Sequence, residues 1–147
     1  MTAIAVVAKN LAIGKDGKLL YDLPGDLQNY KKLTLGRLCI MGRKTVEGLR
    51  YGRPLPGRVT VTMSSKLPAD DLPDDALVCG GAQIYRYFWN RTDRLILTEV
   101  DAEVEDADAY FPEYRDGSFV CVSDSGAIEE NGYTYHIREY QRITKED

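Results

Sequence analysis

Apolar positions along the chain fall into short runs broken by glycine, proline and aspartate. Residues 3–8 (Ala-Ile-Ala-Val-Val-Ala) are continuous and partly β-branched, the pattern of a strand buried on both faces of a sheet. Residues 9–24 make a long connection in which glycines interrupt apolar positions at Leu11, Ile13, Leu19, Leu20 and Leu23. A connection so long and so apolar is expected to pack against something, a bound ligand included. After Pro24, the three-residue recurrence of Leu27, Tyr30 and Leu33 predicts a helix with one apolar face and Asp26 in its first turn. Leu38 to Met41 reads as a buried strand entering Gly42-Arg43-Lys44-Thr45, where a second helix starts and runs to about Leu49.

The stretch from Arg50 to Arg58 is rich in turn residues, and Val59 to Met63 is β-rich. Lys66 to Asp75 carries no periodic signal and reads as a surface loop. Ala76 to Cys79 is a strand stopped by Gly80-Gly81, and Ile84, Tyr85 and Phe88 share a face of a helix from about Ala82 to Asn90. Arg94 to Val100 is a strand. Phe119 to Val122 and Tyr133 to Tyr140 are two closing strands, the last preceded by an Asn131-Gly132 turn. Strands alternating with helices, then an antiparallel hairpin, predict an α/β three-layer sandwich around a mostly parallel central sheet. The whole of residues 1–147 reads as one domain, without repeats or a linker.

Composition narrows the classes. With 19 Lys and Arg against 23 Asp and Glu, the net charge of −4 gives no footprint for nucleic acid or an anionic membrane. No apolar run reaches the roughly 18 residues of a membrane span, and the first residues lack the pattern of a secretion signal. Cys39, Cys79 and Cys121 are widely spaced in apolar surroundings, which predicts buried free thiols in a reducing cytoplasm. One histidine, His136, and no paired-cysteine motif argue against a metal site; His136 reads as a structural or exposed residue.

Two segments share one design: a buried strand meets glycine and then a helix, at Gly42-Arg43-Lys44-Thr45 and at Gly80-Gly81-Ala82-Gln83. Glycine admits a close backbone approach and free helix N–H groups favour an anion, so these points suit phosphates; equally, glycine after a strand is how chains turn. Ser64, Ser65 and Lys66 add hydroxyls and a cation after a third strand. Neither standard glycine-rich phosphate motif is present. Asp26 sits among Leu23, Pro24, Leu27 and Tyr30. It reads either as a pocket carboxylate with a raised pKa or as a first-turn residue serving helix N–H groups. Ser64 has no hydrolase context.

Six stretches, in order, resemble the dihydrofolate reductase family in its monomeric bacterial and phage form. They are Ile4 to Ala8 through Ile13-Gly14; Leu23-Pro24-Gly25-Asp26-Leu27 with Tyr30-Lys31; Ile40 to Thr45; Gly52 to Arg58; Gly80-Gly81 to Ile84-Tyr85; and Leu97-Thr98 through Ala102-Glu103 to Phe111-Pro112. The resemblance implies a dihydrofolate reductase-like fold and NADPH-dependent reduction of 7,8-dihydrofolate to 5,6,7,8-tetrahydrofolate, in a cytoplasmic monomer that also binds antifolates. By position, Asp26 would hold the pterin and favour protonation at N5, with Thr98 and Tyr21 beside it. Ile4, Ala5, Tyr30 and Cys79 would line the pterin site, Leu27 and Leu49 the aminobenzoyl ring, and Arg58 would meet the glutamate carboxylate. Ala8 and Ile13 would meet the carboxamide and ring of nicotinamide, and Gly14 to Leu20 would form a mobile lid in which Gly14 and Leu19 also contact the cofactor. Gly42, Arg43, Lys44, Thr45, Gly80, Gly81, Ala82, Gln83, Ile84 and Tyr85 would line the cofactor's pyrophosphate region, with Cys79 beside them and a cis peptide at Gly80-Gly81. Ser64, Ser65 and Arg43 would take the 2′-phosphate. The chain departs from the family in having Leu20-Tyr21 for Pro-Trp, a short segment of 14 residues between Ser65 and Gly80, and a charged Lys66. A reductase of another pteridine, or a folate carrier without catalysis, would share the fold; Asp26 together with Arg58 favours the folate reductase.

Overall fold

The computed structural model describes residues 1–16, 20–47, 56–63 and 71–143. One sheet organises them, in the order β4-β3-β5-β1-β6-β10-β8, with β9 paired to β10. Its strands are β1 (Thr2–Val7), β3 (Leu38–Gly42), β4 (Val59–Met63), β5 (Leu77–Val78), β6 (Arg94–Val100), β8 (Phe119–Asp124), β9 (Ile128–Glu130) and β10 (Tyr133–Arg142). Strands β4, β3, β5, β1 and β6 run parallel, while β10 is antiparallel to β6 and to β8. The expected mostly parallel sheet with an antiparallel C-terminal pair is thus the observed fold.

The side-chain alternation of β1 shows why the sheet is covered twice. Ala3 and Val7 face a core with Val78, Leu95, Leu97, Phe111, and Tyr85 and Phe88 from α3 (Ala82–Tyr87) and its end. Ile4 faces the other side, where Tyr30 and Leu33 of α1 (Pro24–Thr34) pack over Cys39, Leu77 and Ile96. Leu95, Leu97, Ile40 and Val78 are fully buried, each contributing about 1.5–3 kcal/mol of transfer free energy. Among the described residues no helix is long and apolar enough to cross a membrane.

Several expectations need correction. The 9–24 connection contains a short strand, β2 (Ala12–Gly14), paired with β7 (Ala109–Tyr110). The chain itself therefore supplies what its described apolar residues pack against, since Leu11 and Ile13 join the main core. On α1 the buried residues are Asp26 and Thr34, and Leu27 is 48% exposed: Tyr30 and Leu33 reach the sheet, but Leu27 projects beside it. The third helix ends at Tyr87 and gives way to a 3-10 turn, Trp89–Arg91. Cys39 is buried and Cys79 half-buried, both as free thiols, but Cys121 is exposed because β8 is an edge strand with one covered residue, Phe119. Helix α2 is described as Arg43–Glu47; its expected end at Leu49 lies outside the described residues. Asn131 and Gly132, with φ of 52° and 81°, make the expected turn, which joins β9 to β10.

Candidate active site

Two features of the fold converge on the C-terminal ends of β1, β3 and β5. The first is the buried carboxylate. Pro24, with its fixed φ and missing N–H, opens α1, and the next turn carries Asp26 inward until it is 7% exposed. Thr98, from the same sheet face of β6, donates its hydroxyl to Asp26 Oδ1 at 2.5 Å. Burial pushes the Asp26 carboxyl above its ordinary value, against the Thr98 bond and with help from the nearby Glu130 charge. A carboxyl in this setting takes up a proton, or a cationic ring edge, more readily than one in water.

The sheet face beneath α1 is apolar. Ile4, Cys39, Leu77, Tyr30 and Cys79 form one cluster, which brings Ile4, Tyr30 and Cys79 together. Burial raises the Tyr30 hydroxyl well beyond the usual range, and the Cys39 thiol followed by burial does the same for Cys79, so both are neutral. Half-buried Ala5 faces the opposite core. Tyr21 packs edge-on to Tyr133 at 4.8 Å, and its buried hydroxyl has no partner among the described residues. An unpartnered buried donor is costly and usually marks a place for water or ligand.

Arg58 lies at the far end of α1. Its Nε donates to Thr34 Oγ1 at 2.9 Å, and its two terminal nitrogens donate to the Pro56 and Lys31 carbonyls. Thr34 is oriented in turn by donating to Tyr30 O at 2.8 Å. Each terminal nitrogen keeps a second N–H, so the fork is fixed and still able to take a carboxylate.

The second feature is the pair of glycine turns, which neighbouring strands β3 and β5 bring side by side. Gly42 N–H donates to Gly80 O at 2.8 Å, and the Gly80-Gly81 peptide is cis. A Cβ on Gly42 would lie 3.0 Å from Ile84 Cγ1, and one on Gly81 would lie 3.2 Å from Thr45 Oγ1. Gly80 has φ +119°, which side chains rarely adopt. Tyr85 is buried below and donates to Ile4 O at 2.6 Å, tying this turn to the carboxylate's wall. Arg43 and Lys44 are exposed at the start of α2, with Arg43 Nε 2.9 Å from Glu47. Ala82 and Ile84 are half-buried and Gln83 is exposed on α3.

Ala8 is buried and bonded to the Ala12 carbonyl, and Ile13 and Gly14 follow in β2. Leu19, Leu49, Ser64, Ser65 and Lys66, with residues 17–19 of the 14–20 lid, lie outside the described residues. The sequence reading missed Thr34, which orients Arg58, and Glu130, which meets the start of α1. Neither carries a local signal; both act across turns or strands far apart in the chain.

The dihydrofolate reductase family model matches residues 1–142. The dihydrofolate reductase of Bacillus subtilis (strain 168) is 35% identical over 152 residues, covering 90% of this chain and 89% of that protein. Dihydrofolate reductase type 3 of Salmonella typhimurium is 37% identical over 131 residues, covering 78% and 79%. Dihydrofolate reductase HdrB of Haloferax volcanii is 36% identical over 169 residues, covering 98% and 85%. That last alignment is longer than the chain's own 147 residues, so this relative carries stretches the chain lacks. With a matching family model over nearly its full length and relatives aligned over most of theirs, the chain belongs to the dihydrofolate reductase family.

Proposed function

We propose that the protein reduces 7,8-dihydrofolate to 5,6,7,8-tetrahydrofolate with NADPH, and that Asp26 binds the pterin and promotes protonation at N5. The observation that carries this reading is the buried carboxyl of Asp26, held by Thr98 and raised in pKa by its burial. NADPH, when bound, supplies the hydride that C6 of the substrate accepts. The chain's own residues orient the substrate and manage the proton. Asp26 takes the 2-amino and N3 edge of the pterin, fixing the ring in a wall of Ile4, Tyr30 and Cys79. Its negative charge, met by one side-chain donor among the described residues, favours the protonated pterin, and N5 receives its proton from solvent. The Tyr21 hydroxyl is available to hold a water beside the ring. Arg58 pairs with the glutamate carboxylate, which fixes the substrate's long axis.

The cofactor fits the glycine turns. A Cβ at Gly42 or Gly81 would press on Ile84 or Thr45, so glycine lets the two turns pack side by side, and the backbone N–H groups at the helix starts beyond them suit a pyrophosphate. Arg43 is exposed, and its pairing with Glu47 is of a kind weak enough to yield to a phosphate. The purified protein mixed with NADPH and dihydrofolate should consume NADPH only when both are present, and much faster than NADH. Absence of turnover by folded protein would refute the reading.

A further inference from the structure

Helix α1 begins without a side-chain cap. Leu23 occupies the N-cap position, and Pro24 brings no N–H. The first donor is Gly25 N–H, and the group that takes it comes from 105 residues further along the chain: Glu130 Oε1 and Oε2 lie 3.1 and 3.0 Å from it. Gly25 makes room for this, because a Cβ there would stand 2.9 Å from Oε2. Glu130 is itself held in place. It ends β9, opposite Tyr133 across the Asn131-Gly132 turn. The Tyr135 hydroxyl is 3.5 Å from its Oε1. The next residue after Gly25 is Asp26.

We propose that Glu130 is a positioning residue for the active site: its carboxylate caps α1 from across the fold, fixes the backbone that carries Asp26, and sets a second negative charge beside that carboxyl. The inference rests on the reading of Asp26 as the pterin's anchor. A carboxylate at a helix start is favourable for the helix, but two carboxylates near one another disfavour ionisation of the more buried one. The described groups acting on Asp26 are few: the Thr98 hydroxyl from β6, the Glu130 carboxylate from β9 and, from β10, the Tyr135 hydroxyl, which feels both carboxylates. None of them is a cation. The negative charge of Glu130 is therefore not offset there, and burial and Glu130 act in the same direction on Asp26.

The test compares Glu130→Gln, which keeps the acceptor and loses the charge, with Glu130→Ala, which loses both, and with Gly25→Ala, which pushes the carboxylate away. The readouts are the Asp26 carboxyl titration followed by carbon NMR in the free protein, the thermal midpoint, and the pH profile of turnover. Glu130→Gln should melt like the wild type and lower the Asp26 titration midpoint by roughly 0.3–1 pH unit. Glu130→Ala should lower it similarly and also melt about 3–6 °C earlier. Gly25→Ala should reproduce part of both effects. An Asp26 titration unmoved in Glu130→Gln overturns the charge effect, and an unchanged melting point in Glu130→Ala overturns the cap. If the titration moves and the turnover profile does not, Glu130 acts as proposed and the proton role of Asp26 fails instead.

Discussion

Thr98 and Glu99 are neighbours on β6, and the two carboxylates they belong with are treated in opposite ways. On one face Thr98 gives Asp26 its hydroxyl, with no cation among the described groups acting on it. On the other, Glu99 accepts from Arg138 at 2.8 Å, from Tyr140 at 2.7 Å and from the Tyr114 hydroxyl. That network continues. Arg138 Nε donates to Asp124 at 2.9 Å, and His136 Nδ1 lies 2.8 Å from the same carboxylate. His136, then the Gly126 N–H and Arg138, hold Asp124 well below the usual carboxylate range. A carboxylate met by three donors, one of them cationic, has most of its hydrogen-bonding capacity taken up by the fold and ties these strands together. A buried one with a single side-chain donor keeps capacity for a ligand and a proton, at a cost to stability.

Replacing each carboxylate separates the two roles. Asp26→Asn should lower turnover at neutral pH by roughly 10²–10³-fold while an NADPH titration stays close to wild type. The same change should stabilise the fold. Because the folded Asp26 pKa is raised above its ordinary 3.8, the carboxyl's stabilising contribution is complete below that value and is lost as pH rises through the folded pKa. The thermal midpoint of Asp26→Asn should therefore exceed that of the wild type at pH 7, with the gain vanishing in acid.

Glu99→Ala should do the reverse, costing about 2 kcal/mol in urea unfolding by stranding Arg138 and two hydroxyls, with turnover per folded molecule near wild type. Thr98→Val sharpens the comparison from within the site. It removes the bond that lowers the Asp26 pKa, so the Asp26 titration should move up by roughly 0.5–1 pH unit, and Thr98→Ser should restore it. Tyr21→Phe is the smallest change. It removes a buried hydroxyl without a partner among the described residues, so the melting point should stay level or rise slightly, and any loss of turnover then reports a role in the bound complex.

The parts legible in the sequence were those set by neighbours along the chain. Pro24, Asp26 and the spacing through Leu33 define α1, and the strand–glycine–helix pattern marks both turns that the sheet brings together at Gly42 and Gly80. What escaped depends on distant pairing. Strands β2, β7 and β9 have two or three residues each, too few for an alternation to register, and exist because partners meet them. The exposure of Cys121 follows from β8 lying at the sheet's edge, which no local pattern records. Glu130 sits in an ordinary acidic turn, Glu129-Glu130-Asn131-Gly132; only the fold shows that it reaches Gly25. Leu27 read as part of a buried helix face because periodicity cannot tell a side chain packed on the sheet from one that projects beside it.

The most direct test is the pH dependence of NADPH consumption with dihydrofolate, measured for the wild type and Asp26→Asn at saturating substrate. The account expects the wild-type rate to fall as pH rises through a single midpoint above the ordinary aspartate range, and expects the variant to be slow with that midpoint lost. A variant that keeps the wild-type rate and profile would contradict it.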